Sequence, residues 1–256
     1  FIAVPTTSGT GSEATSNAVI SRVGQGGYKR SLRHRAFVPD VALIDPELMV
    51  TAPLALTASS GMDAFTQLLE AYLSPFACQY TDAVCLSGME RFSGSFIPAC
   101  TTGARDPSVR ADIAYAALMS GIALANAGLG IVHGFASSVG GIYDIPHGTL
   151  CATLLAESTR VNIERLRSLD PVHPALGKFS KAGGILAGRE PAGVREGCGM
   201  LLEQLSEWQE LLGFPRLREF GVRDAELDGI VAATRSRSNA VALDAASMRG
   251  ILEARL

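Results

Sequence analysis

The sequence predicts a mainly α-helical chain with a short α/β lead-in. Up to Asp45, short apolar runs alternate with Gly-rich and Ser/Thr-rich turns, as strands do. From Asp45-Pro46 onward, apolar residues recur at helical spacing instead. Several of these later segments also open on Asp or Pro, which favour the first turn of a helix. The division is placed between residues 45 and 46, with an α/β piece before it and an all-helical domain over 46–256.

Taken in order, Phe1-Ile2-Ala3-Val4 reads as a buried strand that ends at Pro5. A small-residue loop follows over residues 6–15. Residues 19–22 and 37–44 read as further strand pieces, with a turn at Gly26-Gly27 between them. Residues 55–74 read as a helix, because Phe65, Leu68, Leu69, Tyr72 and Leu73 share one face. Helices are also predicted over 81–96 and 107–141, and another opens at Pro146. Leu201, Leu205, Trp208 and Leu212 mark an amphipathic helix. Residues 224–234 and 244–256 each begin with an Asp suited to cap a helix.

Composition narrows the function classes. Net charge is −3 and no Lys/Arg run exceeds two residues, so neither a nucleic acid nor a membrane surface is expected as a partner. The five cysteines include no CxxC pair. That excludes a zinc ribbon and points to a reducing, cytoplasmic setting rather than a disulfide scaffold. The most apolar stretch, residues 115–134, is rich in small residues and interrupted by Ser120, Asn126 and His133, so it reads as a buried helix rather than a membrane span. The first residue is Phe1, inside a strand-like run, and residues are expected before it.

Three constellations could carry chemistry. Thr6-Thr7-Ser8-Gly9-Thr10-Gly11-Ser12-Glu13 offers hydroxyls and backbone N–H groups that suit a phosphate or ribose, and reads equally as a polar turn. Asp63 and Gln67 lie four apart on a helix face opposite the Phe65/Leu69/Tyr72 stripe, with Ser59, Glu70 and Ser74 beside them. That face is either an ordinary solvated surface or the wall of a cleft with Asp63 as a ligand. His133 and His147 are two of only four histidines, and each precedes a glycine, with Gly140-Gly141 between them. A single His in an apolar stretch reads as a core residue. The paired His-Gly steps read as ligands, with glycine leaving room beside the ring, and Asp plus two imidazoles suits Fe(II) or Zn(II). His34 and His173 sit in charged or Pro-rich surroundings and read as surface residues.

In these positions the chain resembles the iron-containing (group III) alcohol dehydrogenases. The resemblance rests on Pro5 to Glu13, on Asp45-Pro46-Glu47-Leu48, on Gly61-Met62-Asp63-Ala64-Phe65-Thr66, and on Val132-His133-Gly134 through Pro146-His147-Gly148. It implies a dehydroquinate synthase-like fold whose N-terminal part lies outside this chain. Residues 1–45 would then be the C-terminal part of an α/β NAD(P)-binding domain, and 46–256 the helical metal and substrate domain. It implies hydride transfer between NAD(P) and an alcohol or aldehyde at a metal in an interdomain cleft, in a homo-oligomer such as a dimer. The positions matching the metal ligands are Asp63, Gln67, His133 and His147. Those matching NAD(P) contacts are Thr6, Thr7, Thr15, Lys29 and Leu48. No residue is assigned as a catalytic acid or base.

Three departures accompany the resemblance. Gln67 stands where a ligand His is usual, and an amide oxygen is a poor substitute for imidazole on Fe(II) or Zn(II), so weakened or absent metal binding is expected. Ser137 stands where the family often carries a His proposed to relay a proton. The Gly-rich pyrophosphate loop of the family falls before Phe1. Two other readings are a maleylacetate reductase-like enzyme with little metal dependence and a non-catalytic remnant.

Overall fold

The protein is described here by a computed structural model covering residues 1–256. Its strands all lie within the first 42 residues and its α-helices all lie from Leu54 onward. Strand β1 (Ile2–Ala3) pairs in parallel with β4 (Val41–Ala42), and β2 (Asn17–Arg22) pairs with β3 (Tyr28–Arg33) as an antiparallel hairpin. The turn at Gly26-Gly27 forms as expected, but β2 is joined to Tyr28–Arg33 and not to residues 37–44. β3 escaped the sequence reading because its Lys and Arg residues give no apolar alternation. The apolar residues 37–44 hold only a 3-10 turn at Arg35–Phe37 and the short β4. The first strand is also not buried: Phe1 and Ile2 are 63% and 65% exposed, because β1 has a neighbour on one side only.

Helix α1 (Leu54–Leu73) is the axis of the molecule. It packs against α2 (Gln79–Ala99), α3 (Pro107–Ala127) and α5 (His147–Leu169). The stripe expected to face the core does so, with Phe65 and Leu68 fully buried. The opposite face is buried as well: Asp63, Gln67 and Glu70 are 2%, 2% and 8% exposed. This excludes a solvated face. Around α1, the rings of Phe65, Phe92, Phe96 and Trp208 form an aromatic cluster with centroids 4.5–5.6 Å apart. Helix α3 has the length and mean hydropathy, 1.2, of a membrane span, yet it packs against α1 and α2.

The helix expected over 107–141 is two helices. α3 ends at Ala127, Gly128 takes a left-handed φ of 75°, and α4 (Ile131–Val139) begins after Gly130. Helices α6 (Pro174–Ala187), α7 (Val194–Leu211), α8 (Leu227–Ala233) and α9 (Ala245–Ala254) complete the domain. Asp244 caps α9 as expected, accepting from the Ser247 N–H at 2.8 Å. α6 lies outside the helices expected from the sequence, although Leu176, Phe179 and Leu186 share its buried face; His173 caps it by accepting from the Ala175 N–H.

The loop after β1 is pressed onto α3 through glycine. A Cβ on Gly121 would lie 2.1 Å from the Gly11 carbonyl oxygen, and Gly11 has φ 57°. Gly121→Ala is therefore expected to cost about 1–3 kcal/mol through overpacking, read as a shift in the urea midpoint. All five cysteines are free. Burial pushes the Cys85 thiol up to about 12 and Cys100 up to about 11. Hydrogen bonds from Thr81 lower the pKa of exposed Cys78. Brief iodoacetamide treatment of the native protein is expected to alkylate Cys78 alone; peptide mapping that finds a buried cysteine modified as fast would contradict this packing.

Candidate metal centre

Four segments bring polar side chains to one point. α1 supplies Asp63, Gln67 and Glu70; α4 supplies His133; the first turn of α5 supplies His147 and Cys151; β3 supplies Lys29. His133 Nε2 lies 3.3 Å from Asp63 Oδ1, and His147 Nε2 lies 3.5 Å from the same oxygen. The two imidazole centroids are 5.4 Å apart. Cys151 Sγ lies 3.9 Å from His133 Nε2. One ligand atom from each of Asp63, His133, His147 and Cys151 falls within 4.8 Å of the other three.

The break before α4 aims His133. Gly130 offers no side chain to cap the helix, so its first amides are met from outside. The Ile131 N–H donates to Asn239 Oδ1 at 3.2 Å, and the Val132 N–H donates to Glu70 Oε1 at 2.7 Å. A Cβ at Gly130 would sit 2.8 Å from both acceptor atoms, so only glycine lets them reach the amides. The other Glu70 oxygen lies 2.7 Å from His133 Nδ1. A carboxylate can only accept, so Nδ1 carries a proton and Nε2 is turned toward Asp63. Gly148 acts similarly for α5: a Cβ there would lie 2.3 Å from the Ser59 carbonyl oxygen, so glycine lets α5 start against α1. The glycines after the two histidines thus clear neighbouring backbone, Arg235 O for Gly134 and Ser59 O for Gly148, rather than space beside the rings.

This arrangement turns two imidazole nitrogens toward one buried carboxylate oxygen. Lys29 Nζ donates to His147 Nδ1, so the neutral His147 ring carries its proton on Nε2, facing Asp63 Oδ1. A divalent cation bound here would take the place of the protons on the two Nε2 atoms. Burial pushes the Asp63 carboxyl up, but His147, His133 and the Gln67 amide outweigh it and hold the group down at about 2. Burial also opposes charge on His133, yet Cys151, Asp63 and Glu70 around it raise its pKa well above 6.5. Burial lowers His147 to about 4, against the pull of Asp63 and with help from His133 and Lys29. The donor types and spacings fit a divalent cation. Bonds of about 2.0–2.1 Å to N and O put tetrahedral N and O ligands about 3.3 Å apart, close to the 3.3 and 3.5 Å found here.

Residues 57–255 match the Fe-containing alcohol dehydrogenase family, C-terminal, and residues 1–46 match iron-containing alcohol dehydrogenase. The chain belongs to the iron-containing alcohol dehydrogenase family. It is 40% identical over 161 residues to a 1-propanol dehydrogenase of Salmonella typhimurium, covering 63% of this chain and 43% of that protein. It is 35% identical over 216 residues to an NAD-dependent methanol dehydrogenase of Bacillus methanolicus, covering 76% and 56%. A crystal structure of 1,3-propanediol oxidoreductase matches at TM-score 0.88 and 29% identity, over 100% of this chain and 65% of that one. The chain spans about half the length of the curated relatives it matches.

Of the residues singled out in the family motifs, Asp63, His133 and His147 meet at the centre. Gln67 is buried beside Asp63, but its Oε1 lies 3.1 Å from Ser120 Oγ. Ser120 Oγ also lies 3.5 Å from the Gly9 carbonyl oxygen, which ties the Thr6–Glu13 loop to the wall of the centre. Lys29 reaches the centre directly, its Nζ 3.2 Å from His147 Nδ1. Thr6, Thr7 and Leu48 are exposed, while Thr15 is buried and donates to the Ser12 carbonyl oxygen at 3.1 Å. Ser137 is exposed one turn beyond His133. Sequence reasoning missed Glu70 as the partner of His133 and Cys151 as a donor. The signal for Cys151 was its i+4 spacing from His147, which puts both on one helix face.

Glu70→Ala leaves the Val132 N–H buried without its acceptor and frees His133 to rotate. It is expected to destabilise the fold by about 1–3 kcal/mol, measured by urea unfolding, with a larger loss than Glu70→Gln.

Proposed function

We propose that this chain is the metal-site part of an NAD(P)-dependent alcohol dehydrogenase, transferring hydride between the nicotinamide and a small alcohol or aldehyde in an interdomain cleft. The observation that carries the reading is the convergence of Asp63 Oδ1, His133 Nε2 and His147 Nε2 at spacings that suit the ligands of one divalent ion. A divalent Fe or Zn ion bound there supplies Lewis acidity to an alcohol or carbonyl oxygen, and NAD(P) carries the hydride. Asp63, His133 and His147 hold the ion, and Glu70 keeps His133 in the tautomer that ligates.

Residues 1–45 belong to the nucleotide-binding side of the cleft, and 46–256 to the metal and substrate side. The exposed Thr6 and Thr7 hydroxyls and Leu48 face the cofactor, and Lys29 lies between it and His147. Thr15 acts from behind, holding the turn after Ser12. Gln67 marks a subgroup in which one family imidazole is replaced, and its amide supports Asp63. The active form is a homo-oligomer, and five unpaired cysteines suit the cytoplasm.

Asp63→Ala in the complete protein is expected to abolish NAD reduction with short alcohols and to remove the bound metal in elemental analysis. Unchanged turnover would end the metal-centred reading. Metal-independent oxidation of NADH by maleylacetate would replace it with the reductase reading that Gln67 favours.

A further inference from the structure

Every metal-site donor except one has been accounted for by the pattern of its family. The exception is Cys151. It is fully buried, yet its sulfur does not point into the apolar core alone: it lies 3.9 Å from His133 Nε2 and closes the group with Asp63 and His147. Gln67, by contrast, has its amide oxygen at Ser120 and its amide group against Asp63. A tetrahedral ion with a bond of about 2.3 Å to sulfur and about 2.0–2.1 Å to nitrogen separates those two ligands by about 3.6 Å. The S···N distance found is within a few tenths of an ångström of that.

We propose that Cys151 Sγ is the fourth protein ligand of the metal centre, occupying the coordination role that Gln67 does not fill. The inference rests on the metal-centred reading above. Ion binding then displaces the thiol proton to solvent: the S–H bond breaks, a metal–sulfur bond forms, and no oxidation state changes. The carboxylate of Asp63 and the thiolate of Cys151 together balance a divalent charge, with both imidazoles neutral. A sulfur, two nitrogens and an oxygen make a softer set than a carboxylate with imidazoles alone. The centre should therefore prefer Zn(II) or Co(II) over Mg(II) and Mn(II). His147 and Cys151 share one face of the first turns of α5, so a single rigid helix presents both.

Cobalt(II) titration of the metal-free protein tests this. The expected complex has visible d–d bands of a low-coordinate ion and an intense near-ultraviolet sulfur-to-cobalt band. Cys151→Ser should keep the d–d bands, lose the sulfur band, and bind cobalt at least about tenfold more weakly, since losing even an outer partner of a ligand costs that much. Cobalt bound by the wild type with d–d bands but no sulfur band overturns the Cys151 assignment and leaves the metal reading standing. No cobalt binding overturns both. X-ray absorption of the wild-type zinc form gives a check that does not depend on the variant folding. One sulfur scatterer at about 2.3 Å is expected, and a shell of N and O alone refutes the assignment.

Discussion

A carboxylate buried on every side must be neutralised where it stands, and Asp63 is such a group at the middle of the central helix. α1 cannot turn it outward, because the opposite face is occupied by Phe65 and Leu69 in the core. The chain therefore brings compensation to Asp63: one imidazole from α4, a second from α5, an amide from α1 itself, and the Lys29 amine just behind His147. The longest-range of these contacts join residues 70 to 118 apart in the sequence. The same buried anion suits a cation, since a divalent ion could replace the protons on the two imidazole nitrogens that face it.

The aim of His133 depends on an interruption in the backbone. Had residues 107–141 formed one helix, His133 would have continued the axis of α3. Instead the chain breaks at Gly128 and Gly130, and the first turn of α4 is capped by side chains from α1 and from Asn239. Glu70 does two jobs with its two oxygens, capping the helix and fixing the imidazole. A negative group at a helix N-terminus is favourable by the helix dipole, so helix capping and ligand orientation reinforce each other. Asn239 is in turn held by Asn162 of α5 at 2.6 Å, which links both histidine-bearing helices through one polar pair.

The loop that follows β1 and the metal centre share a wall. Gly11 and Gly121 let the loop backbone touch α3, and Ser120, the residue before Gly121, faces both that loop and Gln67. Gln67 therefore stands between that loop and Asp63 as a structural link. With that position taken by an amide, the softer donor at Cys151 becomes the group that distinguishes this chain's centre from one made of Asp and imidazoles.

What the sequence alone determined was periodic and local. The apolar spacing of α1 and α7, the Asp244 cap, and the change from strand-like to helical texture after Asp45 all depend on neighbours within a few residues. The grouping of Asp63 with His133 and His147 was legible too, because the family motifs around them are local. Tertiary structure decided the rest. Whether the Asp63 face meets water or protein depends on which helices surround α1, and no spacing within α1 records that. Glu70 and Cys151 looked like one surface acid and one of five scattered thiols until α4 and α5 were placed against them. Convergence in space is set by the packing of distant segments around a single buried charge, and periodicity along the chain carries no term for it.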